Sequence, residues 1–140
     1  MKKKLLKIGY NSKIALQENL SEKVKNKVLN DYFLLIKKNK TKILISNKKD
    51  INFAIKKRIK NNLIERLKLD EKKIDQILLS IKKIIKLKDP CNKVLETWKR
   101  PNGLKISRVS IPLGVMGVIY ESRPNVTCDV SSLCFKSGNT

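Results

Sequence analysis

The sequence predicts an α/β fold in which helices come first and extended segments follow. Apolar residues recur at helical spacing through residues 1–90. An Asn-Gly pair then separates two runs rich in β-forming residues, and a continuous apolar run later precedes a polar turn. Neither an internal repeat nor a Gly/Ser linker divides the chain, so residues 1–140 form part of one domain, with a helical region over 1–90, a hairpin over 91–111 and a first βα unit over 112–140.

The helices are predicted from caps and apolar stripes. Residues 5–20 carry a loose helical pattern. Ser21 is a good N-cap for a stronger helix that ends before Asn39, and Asp70 caps the last helix, which Asp89-Pro90 stops. Between them, residues 43–45 and 51–59 suggest two short helical pieces joined near Ser46-Asn47. The stripe of the second helix is Val24, Val28, Leu35 and Ile36, and that of the last helix is Ile74, Ile77, Leu78, Ile81, Ile84 and Ile85.

A β-hairpin is predicted next. Residues 94–99 and 104–111 are β-rich and flank Pro101-Asn102-Gly103. An Asn-Gly pair between two extended runs is a strong hairpin signal, because both residues tolerate a positive φ.

The stretch from Ser110 to Thr127 is the part of the chain best suited to chemistry. Val115 to Tyr120 reads as a strand buried on both faces, as parallel strands usually are. Glu121-Ser122-Arg123-Pro124-Asn125 reads as a turn, and residues 126–136 read as a helix that Gly138 ends. The apolar face of that helix is predicted to be Val126, Val130, Leu133 and Cys134. Ligands in open α/β sheets lie beyond the carboxyl ends of the strands, which makes this turn the expected site.

The charge and the amino-acid composition limit the classes of function that the chain can have. The net charge is +21, and most of the excess lies in residues 1–90. The basic residues are 28 Lys and only 5 Arg, whereas a chain that reads bases or phosphates bidentately uses more Arg, so the charge is interpreted mainly as compositional bias on solvated helix faces. A small basic module that binds RNA or anionic surfaces remains the alternative, although the aromatic-interleaved strands of an RNA-binding sheet are missing.

Cysteine and histidine usage narrows the chemistry further. The chain has three cysteines without a C-x-x-C spacing and no histidine. This composition encodes neither a disulfide framework nor a common zinc site. We therefore expect no metal, and we expect a reducing, cytoplasmic environment. The basic start is broken at Lys7 and Gly9, so no export segment is expected, and no apolar run is long enough to span a membrane.

Three ordered runs carry a family resemblance: R-P-N-G-L from Arg100, I-P-L-G-V-M-G-V-I-Y-E-S-R-P-N-V-T from Ile111, and L-C-F-K-S-G-N from Leu133. These runs, with thinner matches upstream, resemble gamma-glutamyl phosphate reductase, also called glutamate-5-semialdehyde dehydrogenase, of the aldehyde dehydrogenase superfamily. The resemblance implies the N-terminal portion of such an enzyme, whose last segment is the first strand-turn-helix of a Rossmann-like coenzyme-binding domain.

The resemblance also implies an activity and its residues. The implied reaction is the NADPH-dependent reduction of L-glutamyl 5-phosphate to L-glutamate 5-semialdehyde in proline biosynthesis, with a nucleophilic cysteine that lies beyond this chain. Cys128 and Cys134 are then inert packing residues, and the 140 residues alone are expected to be inactive. By the same resemblance, Glu121 and Ser122 are candidates for coenzyme binding, Arg123 and Asn125 for substrate binding, and the hairpin for homo-oligomer formation. Structural roles for Arg123 and Asn125 remain open: Arg123 pairing with Glu121 or with a helix end, and Asn125 capping the following helix.

Overall fold

The computed structural model describes residues 2–140, which form six helices and one antiparallel hairpin. The elements are α1 Lys2–Leu16, α2 Glu22–Lys38, α3 Lys40–Lys56, α4 Asn61–Leu67, α5 Glu71–Lys86, β1 Val94–Lys99, β2 Lys105–Val109 and α6 Pro124–Lys136. The fold is therefore α/β with a large majority of helix, as predicted. Within residues 2–140 no helix is both long enough and apolar enough to cross a bilayer.

Helix α5 is the centre of the molecule. The Asp70 carboxylate caps it by accepting a hydrogen bond of 2.7 Å from the Lys73 amide, as predicted. One face of α5 is buried against α2 and α6, and it contains Ile74, Ile77, Leu78, Ile81 and Ile84. Every member of the predicted stripe lies on this face, with Ile85 half-buried at its edge. Three-and-four spacing of branched apolar residues is thus enough to identify the core helix.

Helix α2 begins and ends as predicted but buries a different face. The Ser21 hydroxyl accepts from the Val24 amide at 3.4 Å, and the helix ends at Lys38. Val24, Val28 and Leu35 of the predicted stripe are exposed, whereas Lys25, Leu29 and Ile36 are buried. The predicted stripe is therefore right for Ile36 and wrong for its other three residues, because a lysine occupies the inner face, where its ammonium group meets a carboxylate from the loop after α5.

The predicted break near Ser46-Asn47 is also wrong. Helix α3 runs without interruption through both residues, and the buried Asn47 serves another purpose. Its amide donates to the Leu67 carbonyl at 2.9 Å and accepts from the Leu69 amide at 2.8 Å, which satisfies the backbone between α4 and α5. The chain turns later, near Arg58, whose φ is 54°. Helix α1 forms over Lys2–Leu16, a few residues earlier than the predicted 5–20, and buries none of its residues.

The hairpin forms where Asn102-Gly103 predicts it. Trp98 lies opposite Ile106, and Gly103 has a φ of 85° while its amide donates to the Arg100 carbonyl at 2.9 Å. Both strands remain largely exposed.

The predicted strand from Val115 to Tyr120 does not form. This segment has no regular secondary structure, and its side chains are exposed, with Ile119 fully so. A strand buried on both faces needs neighbouring strands, and in residues 2–140 the hairpin strands pair only with each other. The backbone of Gly114 and Met116 bonds instead to Thr140, with the Met116 amide donating to the Thr140 carbonyl at 2.7 Å. No Rossmann-like sheet is therefore present in this part of the chain.

Helix α6 begins at Pro124, two residues earlier than predicted, because proline suits the first helical position. Its predicted face is only partly correct: Val126, Val130 and Cys134 are half-buried and Leu133 is exposed, whereas Ser132 and Lys136 are buried. The Lys136 ammonium lies within hydrogen-bond distance of three acceptors, Asn26 Oδ1 at 2.6 Å, Glu22 Oε1 at 3.3 Å and the Ile85 carbonyl at 3.3 Å. Polar pairing, rather than apolar periodicity, thus sets the orientation of this helix.

Gly138 ends α6 in the left-handed conformation, with a φ of 69°, as predicted.

Candidate functional site

The turn Glu121-Ser122-Arg123 connects the exposed segment to helix α6. Ser122 has a φ of 50°, which is uncommon for a residue other than glycine, so the turn is held in a specific conformation. Glu121 and Arg123 are exposed and Ser122 is half-buried. Arg123 is the N-cap of α6, yet its side chain makes no capping hydrogen bond. Within residues 2–140 no ion pair involves Arg123, so the pairing with Glu121 that was one of its alternatives is absent.

Asn125 lies within the first turn of α6 and therefore does not cap it. Its side-chain amide donates to Asp129 Oδ2 at 3.5 Å, one helical turn onward. The other oxygen of Asp129 accepts from the Ser80 hydroxyl of α5 at 2.9 Å. These contacts bring Asn125 into a polar group that joins α5 to α6.

This polar group borders a cavity of about 380 Å³ between the amino ends of α5 and α6. Its polar lining consists of Arg66, Lys68, Lys73, Gln76, Ser80, Asn125 and Asp129. Of the four predicted site residues, the structure brings Asn125 to this cavity, while Glu121, Ser122 and Arg123 lie on the adjacent turn. The lining residues from α4, α5 and the loop between them were missed because they lie far away in sequence, and Asp129 was missed although it lies on α6, one turn after Asn125. For Arg66 alone the sequence contains an indication, because it is one of only five arginines in a chain with 28 lysines.

The three cysteines are half-buried thiols in packed surroundings. Cys91 Sγ lies 3.1 Å from the Ser137 carbonyl and 3.5 Å from the Lys25 ammonium. Burial and the hydrogen bond with Asp89 raise the pKa of the Cys91 thiol, despite the neighbouring lysine. A raised pKa disfavours the thiolate, which is the nucleophilic form.

Cys128 packs against the core and accepts a hydrogen bond from the Tyr32 hydroxyl at 3.1 Å. Burial, together with that contact, raises the pKa of Tyr32 to about 12. A tyrosine with such a pKa remains protonated and keeps donating to the sulfur at neutral pH. Cys128 therefore has a hydrogen-bond donor as its partner in the packed interior. The described residues also contain no cluster of histidine, cysteine or carboxylate side chains placed to hold a metal ion.

Comparison with known proteins identifies sequence relatives that share one name. No family model matches the chain. The gamma-glutamyl phosphate reductase of Thermoanaerobacter sp. (strain X514) is 49% identical over 120 residues, which cover 86% of this chain and 29% of that protein. The enzyme of the same name from Nautilia profundicola is 42% identical over 139 residues, covering 99% of this chain and 33% of that protein.

Solved structures agree with the sequence relatives. The crystal structure of gamma-glutamyl phosphate reductase from Thermotoga maritima superposes with a TM-score of 0.91 and 37% identity, over 97% of this chain and 33% of that one. The Saccharomyces cerevisiae protein of the same name gives a TM-score of 0.90 and 31% identity, over 96% of this chain and 35% of that one. The chain therefore spans about a third of the length of the relatives it matches.

Proposed function

We propose that this chain, a relative of the gamma-glutamyl phosphate reductases, acts as part of an oxidoreductase that reduces L-glutamyl 5-phosphate to L-glutamate 5-semialdehyde in proline biosynthesis. The observation that carries the proposal is the agreement of sequence and fold with proteins of that name across 97% of the chain, at a TM-score of 0.91. The alternative of a basic RNA-binding module has only the net charge in its favour.

The proposed substrate-binding residues are Arg123 and Asn125. The exposed guanidinium of Arg123 has no ion-pair partner in residues 2–140 and offers a planar fork for a carboxylate or phosphate. The side-chain amide of Asn125 donates one long hydrogen bond of 3.5 Å to Asp129. Its second N–H can therefore donate to an oxyanion of the substrate.

The proposed coenzyme is NADPH, which supplies a hydride when bound. Glu121 and Ser122 fit the edge of such a site, since both belong to a polar turn that directly precedes the amino end of α6. One turn can contact only a small part of a dinucleotide, so the remaining contacts must come from residues outside this chain. The role of Glu121 and Ser122 is to orient the reactive end of the coenzyme near the amino end of α6.

The proposed nucleophilic cysteine is not among Cys91, Cys128 and Cys134. The raised pKa of the Cys91 thiol and the hydrogen bond from Tyr32 to Cys128 support this assignment. The 140 residues alone are therefore proposed to be inactive.

The proposed enzyme is cytoplasmic, which is consistent with the three free cysteines of this chain. It is also proposed to be a homo-oligomer, because the exposed edges of the hairpin β1–β2 can pair with another subunit.

A chimeric enzyme tests the proposal. In the Nautilia profundicola protein, the segment that matches this chain would be replaced by residues 2–140, and NADPH oxidation would be followed with L-glutamyl 5-phosphate generated in the assay. We expect the chimera to turn over and the isolated chain to show no activity. A folded chimera without activity would contradict the proposed function, and turnover by the isolated chain would contradict the position of the nucleophile.

A further inference from the structure

We propose that the cavity between α5 and α6 binds the α-amino acid end of the substrate, with Arg66 holding the carboxylate and Asp129 holding the ammonium group. This inference rests on the proposed function and deepens it, since it assigns residues to the part of L-glutamyl 5-phosphate that does not react.

The first argument is that Asp129 is a negative charge without a positive partner. Its oxygens accept hydrogen bonds from Ser80 at 2.9 Å and from Asn125 at 3.5 Å, both neutral groups. In the described part of the chain no lysine or arginine nitrogen lies within ion-pair distance of it. The neutral donors fix the orientation of the carboxylate, and each of its oxygens can still accept another hydrogen bond. An ammonium group of a ligand would complete this arrangement.

The second argument concerns the positive charges that line the same cavity. The Lys68 ammonium pairs with Glu65, which neutralises it. Arg66 has no carboxylate partner across residues 2–140, and the Lys73 ammonium donates only to the Lys68 carbonyl. Arg66 is also an arginine in a chain that otherwise prefers lysine, and only a guanidinium binds a carboxylate through two parallel hydrogen bonds. The cavity is thus lined by the Arg66 guanidinium, which has no ion-pair partner in residues 2–140, and by the Lys73 ammonium as a second cation.

The third argument is the match in composition and size. An α-amino acid carries a carboxylate and an ammonium group on one carbon, and this cavity has unpaired charges of both signs on its walls. Its volume of about 380 Å³ lies within the range of small-molecule sites. A simple anion such as phosphate would leave Asp129 unpaired and close to a like charge, which is unfavourable. A zwitterionic ligand satisfies both walls.

The site adjoins the proposed reaction centre. Asn125 borders the cavity and is one residue from Pro124, which follows the turn Glu121-Ser122-Arg123. A substrate held by its α-amino acid end in the cavity can therefore extend its phosphorylated end toward that turn. Binding energy from the non-reacting end of a substrate supports catalysis by fixing its position.

Binding of L-glutamate to the 140-residue chain tests the inference, with NMR chemical shifts as the readout and circular dichroism as the check on folding. We expect L-glutamate to shift the amide signals of Asn125, Asp129 and Ser80, and Arg66→Lys to weaken binding about tenfold, since it keeps the charge but removes the fork. Asp129→Asn is expected to weaken L-glutamate about tenfold and to leave glutarate, which lacks the ammonium group, nearly unaffected. Lys72→Ala, which removes an exposed charge on α5 outside the cavity, is the control and is expected to change nothing.

Absence of any L-glutamate-dependent shift at the cavity would overturn the inference, and so would equal binding by the wild type and Arg66→Lys. If inorganic phosphate competes fully with L-glutamate, the site is a simple anion site and the inference is also wrong. The chimeric enzyme separates this result from the proposed function. Normal turnover with an unchanged KM in Arg66→Lys would reject the cavity and keep the reductase, whereas cavity binding in an inactive chimera would do the reverse.

Discussion

Two lysine ammonium groups lie inside this protein, at Lys25 and Lys136, and both hold the carboxyl-terminal part of the chain onto α2. Lys25 Nζ lies 2.8 Å from Asp89 Oδ2, and both side chains are largely buried. Burial by itself lowers the pKa of Lys25, but the hydrogen bond to Asp89 and the charge interactions with Cys91 and Asp89 together outweigh it, so the pKa is raised above its ordinary value. Burial by itself raises the pKa of Asp89, and the hydrogen bonds from Lys25 and the Cys91 amide lower it below its ordinary value.

The pair predicts how stability depends on pH. A depressed carboxyl pKa contributes stability that is complete above the ordinary value of 3.8 and is lost as pH falls through the lower pKa of the folded state. A raised lysine pKa contributes stability below the ordinary value of 10.5 that is lost as pH rises through the higher folded pKa. Asp89→Asn should lower the free energy of unfolding at pH 7 by about 3 kcal/mol, because it leaves Lys25 buried without its counter-charge. Urea denaturation at several pH values measures both effects.

The exposed pair Arg108–Glu96 provides the control. Its atoms are 3.7 Å apart and more than half exposed, so Glu96→Gln should change stability by less than about 1 kcal/mol. Equal losses for Asp89→Asn and Glu96→Gln would mean that the Lys25–Asp89 pair contributes no more than a surface pair.

Gly138 permits the close approach of three segments. Its φ is 69°, and a Cβ at this position would lie 2.9 Å from Cys91 Sγ and 3.0 Å from Pro112 Cγ. Gly138→Ala should therefore destabilise the protein by about 1–3 kcal/mol, from the left-handed backbone and the two contacts. Gly9→Ala, in helix α1 with open space around it, should stabilise by about 0.5–1 kcal/mol. Thermal unfolding of the two variants checks the opposite signs, and a loss in both would refute the argument.

Arg123 tests the proposed substrate contact. In the chimeric enzyme, Arg123→Lys should lower kcat/KM by an amount equivalent to about 1–3 kcal/mol of transition-state stabilisation while the melting temperature stays nearly unchanged, because the charge survives and the bidentate fork is lost. The exposure of Arg123 and its lack of an ion-pair partner in residues 2–140 support this separation. Unchanged kinetics with a lower melting temperature would assign Arg123 to the structure of the turn.

At the scale of elements, α5 is the helix on which the others depend. Ile81 is fully buried at its centre, where α2 and α6 pack against it. Ile81→Ala should lower the free energy of unfolding by about 2–5 kcal/mol through lost burial and the resulting cavity. Leu79, on the same helix, is 57% exposed, so Leu79→Ala should cost less than about 1 kcal/mol. Similar losses in both variants, measured by chemical denaturation, would contradict the central position of α5.

At the scale of the whole molecule, the net charge of +21 predicts how the protein meets nucleic acid. Scattered lysines act as point charges that release counterions from phosphates without reading bases. We expect weak binding that is insensitive to sequence and is abolished when salt is raised from about 50 to 200 mM. Fluorescence anisotropy with two unrelated RNA sequences measures it, and nanomolar affinity that differs between the sequences would favour the RNA-binding alternative.

The exposed segment Ile111 to Tyr120 is also a property of the whole molecule. Most of its backbone has no strand partner within residues 2–140, and an apolar stretch of this kind is a place where another strand can add. Its pattern predicts a buried strand, and within the described residues no neighbouring strand is present to bury it.

The sequence by itself determined the features that depend on neighbours along the chain. Caps at Ser21 and Asp70, the apolar stripe of α5, the Asn102-Gly103 turn and the left-handed Gly138 are all found where their local chemistry predicts them. Local rules were sufficient there because each is set by backbone conformation or by contacts within a few residues.

The tertiary structure decided which faces are buried and which side chains meet. The inner faces of α2 and α6 carry Lys25 and Lys136, because acceptors from distant segments satisfy their charges there, and no apolar periodicity encodes such a partnership. The same is true of the cavity that joins Arg66 to Asp129 across 63 positions of sequence. A strand, in turn, forms only when a neighbour supplies its hydrogen bonds, so the apolar pattern of Val115 to Tyr120 could predict its preference but not its partner.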